Sequence, residues 1–370
     1  MSIIIGLLLL NILIFLHELG HFFAAKICSI KIEAFSLGMG PVLWHRKWHD
    51  TDFRISLLPI GGYCGMKGEK ELASDDFVTF DKDSLYGTNA FARAFIGFAG
   101  PLVNFFFTII SFTIVAMVGY TYFTASNKVI LANEIYPEMH SAAAEAGILT
   151  GDHIIMIDGH KIQYFSDISE IVSKHPNETL SIHILRDGES IEKLVRLGKN
   201  ETTGEGVLGV ISNSDELIKL EAERSPLHTA LTKSVQQAFS LIKFTFQNLR
   251  AIFTNKHFSE NIAGTGQISS MLGNTAKTGF SVNFRTGIAS VLQFMALISM
   301  SLFIMNMLPI PILDGWLVYT SLLEGTFKIK ISSKIRKAVQ FAGLFILILL
   351  FIIAINSDVR YFIGVLNAHN

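Results

Sequence analysis

Four long stretches of this chain contain no aspartate, glutamate, lysine or arginine, and they constrain the fold more than any other feature. They cover residues 1–16, 94–127, 286–313 and 338–357. A helix needs about 20 consecutive apolar residues to cross a bilayer. Charged residues make up only 16% of the chain, against about 25% in an average soluble protein. We therefore predict an α-helical polytopic membrane protein with about four transmembrane helices.

The predicted spans differ slightly from the uncharged stretches, because the first apolar run continues beyond Glu18. We place the four spans at about 3–25, 96–123, 287–312 and 338–357. The first run could instead be a secretory signal peptide. No basic residue follows Met1, however, and the run ends in HELGH rather than at a small-x-small cleavage site, which favours an uncleaved helix.

Lysine and arginine in the shorter loops predict the orientation of the spans. Five basic residues follow the first span and five lie between the third and fourth: Lys26, Lys31, Arg46, Lys47, Arg54, Lys328, Lys330, Lys334, Arg336 and Lys337. Because basic loops stay in the cytoplasm, both loops are predicted to be cytoplasmic. Both termini and residues 128–285 are then extracytoplasmic. The two cysteines, Cys28 and Cys64, lie on the reducing side and are expected to be unpaired.

The segment after the second span has the composition of a small β-rich domain. Between residues 128 and 200, short β-branched runs alternate with turns such as Asp158-Gly159 and Asp187-Gly188. The stretch AGILTGDHIIMIDGHKI, residues 146–162, resembles part of a PDZ domain of the bacterial, rearranged type. We therefore predict one extracytoplasmic α+β PDZ-like domain over 128–210, with a generic β-rich domain as the alternative.

Two further segments are predicted outside the spans. Residues 211–285 are predicted to form an extracytoplasmic amphipathic helix and a linker, because apolar residues recur at helical spacing between 225 and 255. That helix could lie on the outer membrane surface or pack on the PDZ-like domain. Residues 32–63 are too polar and glycine-rich for a span, and their apolar runs predict a membrane-embedded β-hairpin region beside a cavity.

The sequence HELGH, residues 17–21, lies within the first predicted span. On a helix, positions i and i+4 share a face, so His17 and His21 can bind one metal ion. Glu18 is placed to take a proton from a water molecule at that metal. Ionisable residues inside a span are costly and are functional by default. The alternative is that both histidines are core residues with satisfied hydrogen bonds.

A catalytic zinc site takes three protein ligands and leaves one position open. Asp314 is the leading candidate for the third ligand, since it follows the third apolar run in NMLPIPILDG, residues 306–315. Pro309 and Pro311 argue against a regular helix there, and irregular backbone at membrane depth is tolerated where it lines a cavity. The alternative is an ordinary interfacial aspartate that closes a helix.

Together, HELGH in the first span and NMLPIPILDG in a late one resemble the site-2 protease family of intramembrane zinc metalloproteases. LPIGGYCGMKGE and FAGPLVN resemble this family's β-hairpin segment and its Gly-Pro-x-x-Asn element, so the resemblance covers nearly the whole chain. One PDZ-like domain between the central spans resembles the bacterial branch that cleaves membrane-bound anti-sigma factors. Two features depart from the family pattern: Trp316 stands where a second glycine is usual, and residues 261–268 replace a Gly-Pro-containing turn.

The resemblance implies one Zn²⁺ per chain, with His17, His21 and Asp314 as ligands and Glu18 as the general base. It also implies a set of residues beside the bound substrate. These are Asn306, Pro309, Pro311, Gly61, Gly62 and Tyr63. We expect a β-hairpin edge within residues 53–63 to hold an unwound substrate segment by strand addition.

The resemblance further implies that the substrates are transmembrane segments of single-pass proteins in the lipid bilayer, such as an anti-sigma factor or remnant signal peptides. Cleavage would belong to regulated intramembrane proteolysis at the bacterial inner (cytoplasmic) membrane. The groove of the PDZ-like domain could bind a peptide C-terminus, or the domain could limit access by size.

The residues alone leave two other functions open. The first is a zinc-dependent enzyme that acts on a lipid or another non-peptide substrate, which the PDZ-like domain disfavours because such domains bind peptides. The second is a non-enzymatic membrane scaffold or transporter in which HELGH is structural, although transporters often show internal repeats and none is evident. A net charge of −1 gives no indication of nucleic-acid binding.

Overall fold

The structure is a computed structural model that describes most of the chain. The described residues are 2–69, 81–201, 203–213, 216–254, 264–328 and 333–367. Residues 261–263 of the segment NIAGTGQI and Lys330 of the second basic loop lie outside them. The chain forms two compact units, which we call the membrane unit (Met1–Gly119 and Arg224–Asn370) and the inserted unit (Tyr120–Glu223).

The membrane unit is mainly helical. Its helices are α1 (Ser2–Ile27), α2 (Ala90–Val118), α6 (Leu227–Thr254), α7 (Thr265–Val282), α8 (Phe284–Asn306), α9 (Asp314–Phe327) and α10 (Ser333–Asn367). Four of the described helices are long and apolar enough to cross a membrane, over Ser2–Ile27, Ala90–Val118, Phe284–Asn306 and Ala338–Gly364. The chain is therefore a polytopic membrane protein, as predicted.

Two predicted spans extend too far at their carboxyl ends. Helix α2 ends at Val118 rather than near residue 123, because Gly119 adopts a φ of 66° and its N–H bonds to the Val115 carbonyl. Helix α8 ends at Asn306 rather than near residue 312. The proline-rich segment 307–313 follows, since proline lacks the N–H that a helix needs.

The β-hairpin region consists of β1 (Ile32–Trp48) and β2 (Thr51–Met66), which pair antiparallel with several changes of register. Residues 34–37 of β1 pair with both 52–55 and 62–65 of β2, while residues 42–48 pair with 51–56. Residues 53–55 therefore have partners on both sides and are not the free edge that we expected within 53–63. Within the described residues, residues 62–65 of β2 pair only with residues 34–37 of β1, so they form the free edge of this sheet.

Helix α7 lies in the region that we expected to be a linker, and it packs closely on α1. A Cβ atom placed on Gly6 would lie 1.8 Å from the Ser269 carbonyl oxygen, and one on Gly273 would lie 1.8 Å from the Ser2 carbonyl oxygen. Small residues allow this approach, as they do in many membrane helix pairs. The contact extends the helical packing around α1 beyond the four predicted spans.

The amphipathic helix α6 packs its apolar face against membrane helices. Its buried Ala238 lies in a cluster with Ile109 of α2 and with Met300 and Ile304 of α8. The helix is thus held to the membrane unit by its own side chains. Packing on α2 and α8 is a contact that the sequence did not suggest, and the position of α6 at the outer membrane surface stays a prediction.

The inserted unit has its own hydrophobic core. A four-stranded antiparallel sheet in the order β6-β5-β7-β8 is accompanied by the pairs β3–β12, β4–β11 and β9–β10. The strands are β3 (Thr121–Ala125), β4 (Val129–Leu131), β5 (His153–Ile157), β6 (His160–Lys161), β7 (Thr179–Arg186), β8 (Glu189–Arg196), β9 (Gly198–Lys199), β10 (Gly206–Val207), β11 (Val210–Ser212) and β12 (Leu217–Glu221). The helices are α3 (Ala132–Ile135), α4 (Ala142–Glu145) and α5 (Phe165–Ser173), and α5 packs Ile168 and Val172 on the core.

One partly buried ion pair ties β7 to the turn before β5. Arg186 donates from Nε and Nη2 to the two carboxylate oxygens of Asp152, at 2.8 and 2.7 Å. Burial alone would raise the pKa of Asp152, but the hydrogen bonds from Arg186 and from the Leu149 N–H hold it below its usual value. Such bidentate pairs fix geometry as well as charge.

The contact between α1 and α7 gives a testable prediction. Gly6→Val should lower the melting temperature of the purified chain in detergent, because the new side chain meets the backbone of Ser269. Overpacking of this kind costs about 1–3 kcal/mol. Gly364→Val is the matched control, since a Cβ there meets nothing within 4 Å. Equal melting temperatures for the two variants would show that α1 and α7 do not pack in this way.

Candidate metal centre

Helix α1 places two imidazoles side by side inside the membrane unit. His17 and His21 lie one turn apart and are 8% and 7% exposed. Their Nε2 atoms are 3.2 Å apart. Both nitrogens therefore converge on one point, as the HELGH spacing predicts.

The third member of the cluster comes from the start of α9. Asp314 Oδ2 lies 3.0 Å from His17 Nε2, and Oδ1 lies 3.4 Å from His21 Nε2. The aspartate begins a helix rather than closing a span, and Gly315 lets that helix start against the backbone of Met307 and Leu308. Among the described residues, these three side chains form a group that could hold a metal ion.

The donor set and its spacing fit a zinc ion. Zinc takes histidine nitrogen and carboxylate oxygen at about 2.0–2.2 Å, so ligands on a tetrahedron are separated by roughly 3.3 Å. The three observed separations run from 3.0 to 3.4 Å. Three protein ligands leave a fourth position for water or substrate, which is the arrangement of catalytic rather than structural zinc sites.

The second nitrogen of each imidazole faces α2. His21 Nδ1 lies 2.8 Å from the Ile96 carbonyl oxygen, and His17 Nδ1 lies 3.1 Å from Asn104 Nδ2. Outer partners of this kind orient metal-binding histidines. Helix α2 can lie so close because it has glycine at the contact: a Cβ on Gly100 would be 2.2 Å from His21 Nε2.

Glu18 lies beside the cluster and borders a cavity of about 400 Å³. A Cβ placed on Gly62, in the edge formed by residues 62–65, would lie 3.4 Å from Glu18 Cγ, so this edge runs beside the carboxylate. The cavity is also lined by His21, Tyr63, Cys64, Gly65, Met66, Glu69, Leu85, Ile96, Asp314 and Leu317. A carboxylate, a metal-binding cluster and an open strand edge therefore border the same space.

Comparisons with known proteins give one family and several relatives. The family model described as "Peptidase family M50" matches residues 5–350. A relative from Treponema pallidum is 29% identical over 97% of this chain and 99% of its own length. One from Helicobacter pylori is 30% identical over 96% of this chain and 98% of its own. Both carry the name "Putative zinc metalloprotease".

The chain belongs to peptidase family M50. It is a zinc metalloprotease of the site-2 protease type, and Zn²⁺ is its metal ion. The resemblance to the site-2 protease family that the sequence showed is thereby confirmed. A membrane scaffold or transporter, which the residues alone left open, is excluded.

The residues predicted to bind substrate in this M50 peptidase lie in two places. Tyr63 lines the cavity, and a Cβ on Gly62 would lie 3.4 Å from Glu18 Cγ. Asn306 ends α8, and Pro309 and Pro311 belong to the segment that leads to Asp314. A Cβ on Gly343 of α10 would lie 2.5 Å from Pro311, so α10 crosses directly over that proline.

A buried ion pair holds α9 against α2. The Arg93 guanidinium donates to the Glu324 carboxylate, and the two side chains are 9% and 14% exposed. Arg93 also donates to the Thr88 carbonyl oxygen at 3.0 Å. Because Asp314 begins the helix that carries Glu324, this pair helps to fix where the aspartate lies. Trp316, the departure from the family pattern, lines a cavity of about 130 Å³ next to this pair.

Two buried amides near the cluster and the hairpin region, Asn104 and Asn11, have no role predicted from the sequence. Asn104 is fully buried beside His17, and Asn11 is 7% exposed. The Asn11 amide donates to the carbonyl oxygens of Leu7 in α1 and Pro59 in β2, and so ties the hairpin region to the first span. A polar side chain inside an uncharged span is the signal that would have identified both.

The close approach of α2 gives a second prediction. Gly100→Ala should weaken zinc binding at least tenfold, because the added Cβ displaces the His21 imidazole. Gly97→Ala is the control on the same helix, where the Cβ meets the ends of the Val318 and Leu317 side chains at 3.2 and 3.3 Å and the Asp314 carbonyl oxygen at 3.4 Å, an ordinary contact distance. Zinc affinity is measured by competition with a chromophoric chelator. Unchanged affinity in Gly100→Ala would contradict the placement of α2.

Proposed function

We propose that this metalloprotease cleaves transmembrane segments of single-pass membrane proteins inside the bilayer. The observation that carries the proposal is the position of HELGH. His17, Glu18 and His21 lie within a helix that is apolar and long enough to cross a membrane, and they meet Asp314 beside a cavity. Ionisable groups at that depth are costly and are retained for function.

We assign His17, His21 and Asp314 as the zinc ligands and Glu18 as the general base. Zinc held by these side chains would lower the pKa of a bound water to about 7 and polarise the scissile carbonyl. Glu18 takes the proton of the attacking water and then gives it to the leaving amine. Its place in the cavity, next to the strand edge, suits both transfers.

The substrate must be unwound before it can be cleaved, because a helix hides its peptide carbonyls in its own hydrogen bonds. We propose that the edge formed by residues 62–65 holds the unwound stretch by strand addition. This edge pairs with β1 on one side, and its Cys64 lines the same cavity as Glu18. Gly61 has a φ of 87°, which glycine adopts readily, and so turns the chain into the edge.

The segment from Asn306 to Asp314 is the second part of the proposed substrate site. Its two prolines keep the backbone out of a helix, so carbonyls and N–H groups stay available to a substrate. Asn306, Pro309 and Pro311 are proposed to lie beside the substrate on the side opposite the strand edge. Helix α10 crosses over Pro311, so substrate would enter past this helix.

The proposed substrates are a membrane-bound anti-sigma factor or remnant signal peptides, and the proposed process is regulated intramembrane proteolysis. The support is the combination of an intramembrane site with a separate inserted unit. We propose that the inserted unit is a PDZ-like domain outside the cytoplasm. It would either bind a newly exposed peptide C-terminus or exclude substrates with large outer domains.

The role of Glu18 leads to a third prediction. Glu18→Gln should keep zinc and lose cleavage of a model transmembrane substrate by at least a hundredfold, because the base is removed and the ligands remain. His17→Ala, His21→Ala and Asp314→Ala should each lose zinc. Glu33→Gln, an exposed residue, is the matched control. Near wild-type cleavage by Glu18→Gln would end this assignment, and retained stoichiometric zinc in Asp314→Ala would remove Asp314 from the ligand set.

The orientation in a bacterial inner membrane, with both termini outside the cytoplasm, is tested with single cysteines. Cys28 and Cys64 are free thiols, and both are first replaced by alanine. Two exposed positions then receive a cysteine each: Lys47, in the loop expected inside, and Ser190, in the inserted unit.

An impermeant maleimide applied to intact spheroplasts should label Ser190→Cys at once. It should label Lys47→Cys only after the membrane is permeabilised, because the basic loop is predicted to be cytoplasmic. The opposite pattern would invert the proposed topology.

A further inference from the structure

Asn104 lies in the middle of α2 with no exposed surface, and its amide faces His17. Its Nδ2 is 3.1 Å from His17 Nδ1. Its Oδ1 is buried and, among the described residues, has no hydrogen-bond partner. A buried polar atom without a partner costs about 1–3 kcal/mol and calls for an explanation.

The pairing as it stands specifies one tautomer of His17. An amide N–H donates, so Nδ1 must present a lone pair and the ring proton must be on Nε2. The proton on His17 Nε2 then points at Asp314 Oδ2, which lies 3.0 Å from that nitrogen. In this tautomer Nε2 cannot bind a metal ion.

Zinc coordination requires the other tautomer. The ligand atom is Nε2, because it is Nε2 that converges with His21 and Asp314. The proton is then on Nδ1, and an N–H there needs an acceptor rather than a second donor. The Asn104 side chain supplies this acceptor when its amide group turns by half a rotation, because Oδ1 then takes the place of Nδ2 beside His17 Nδ1.

His21 needs no such adjustment. Its Nδ1 lies 2.8 Å from the Ile96 carbonyl oxygen, which only accepts, so its proton is already on Nδ1. The Asn104 backbone is equally fixed, because its carbonyl oxygen accepts from the hydroxyls of Thr108 and Ser299. Only the side-chain amide of Asn104 is left to turn.

We propose that Asn104 is a positioning residue for the metal centre, whose amide turns to accept a hydrogen bond from His17 Nδ1 and so sets the zinc-binding tautomer of that histidine. The proposal rests on the proposed role of His17 as a ligand. It gives the Gly-Pro-x-x-Asn stretch of α2 two separate contacts with the cluster, one through Gly100 and one through Asn104.

The test compares an acceptor with an apolar side chain at position 104. The full-length chain is purified in detergent, stripped of metal and titrated with zinc against a chromophoric chelator. Asn104→Asp keeps only acceptor atoms and should bind zinc within threefold of the wild type or more tightly. Asn104→Leu and Asn104→Ala have no acceptor and should bind zinc about 10–100-fold more weakly.

Two measurements separate this role from packing. Melting temperatures in the absence of zinc should fall most for Asn104→Asp, because it buries a carboxylate, even though its zinc affinity is kept. Thr113→Val, which removes a buried hydroxyl that donates to the Ile109 carbonyl oxygen farther along α2, should keep wild-type zinc affinity. Should Asn104→Leu unfold, Asn104→Ala gives the same comparison without added volume.

The outcomes also separate this proposal from the ligand assignment. Wild-type zinc affinity in Asn104→Leu or Asn104→Ala, or an affinity in Asn104→Asp as weak as theirs, would overturn the role of Asn104. Stoichiometric zinc in His17→Ala would instead overturn the assignment of His17 on which the proposal rests.

Discussion

A histidine or an aspartate at the depth of a membrane helix is costly unless protein groups hold it. The cluster of His17, His21 and Asp314 is held from three helices. Helix α1 supplies both imidazoles, α9 supplies the carboxylate, and α2 supplies the groups that face the other ring nitrogens. The membrane unit is arranged around this requirement, because three helices must come within hydrogen-bonding distance of one point.

Glycine makes that approach possible, and a buried ion pair maintains it. Gly100 lets α2 lie against His21, and Gly20 on α1 lies against the Ala99 backbone. The pair between Arg93 and Glu324 then joins α2 to α9. Breaking a buried pair leaves an uncompensated charge and is strongly destabilising, so the helix that begins with Asp314 is firmly placed.

The parts of the fold that follow from local composition could be predicted from the sequence. Uncharged runs predicted the four long apolar helices, and the i, i+4 spacing of HELGH predicted that His17 and His21 face one point. Asp314 could be proposed as their neighbour because it is an acidic residue directly after an apolar run. Its true position, at the start of α9, depends on the contact of Gly315 with the preceding backbone.

The parts of the fold that depend on distant contacts could not be predicted from the sequence. Residues 120–123 are as uncharged as the span before them, yet residues 121–125 form a strand that pairs with β12. Helix α7 is too polar to resemble a span, and its glycine contacts with α1 and the hydrogen bonds from its first turn to Asp358 of α10 explain where it lies. The free edge at 62–65 is set by register changes between β1 and β2, which apolar alternation does not reveal.

Zinc K-edge X-ray absorption of the full-length, zinc-loaded chain shows which atoms bind the metal ion. Two imidazole nitrogens and oxygen ligands are expected at about 2.0–2.2 Å, with no sulfur bound to the zinc. Cys64 lines the same cavity as Asp314, so a thiolate ligand is a real competitor. A sulfur scatterer at about 2.3 Å, or fewer than two imidazoles, would contradict a site built from His17, His21 and Asp314.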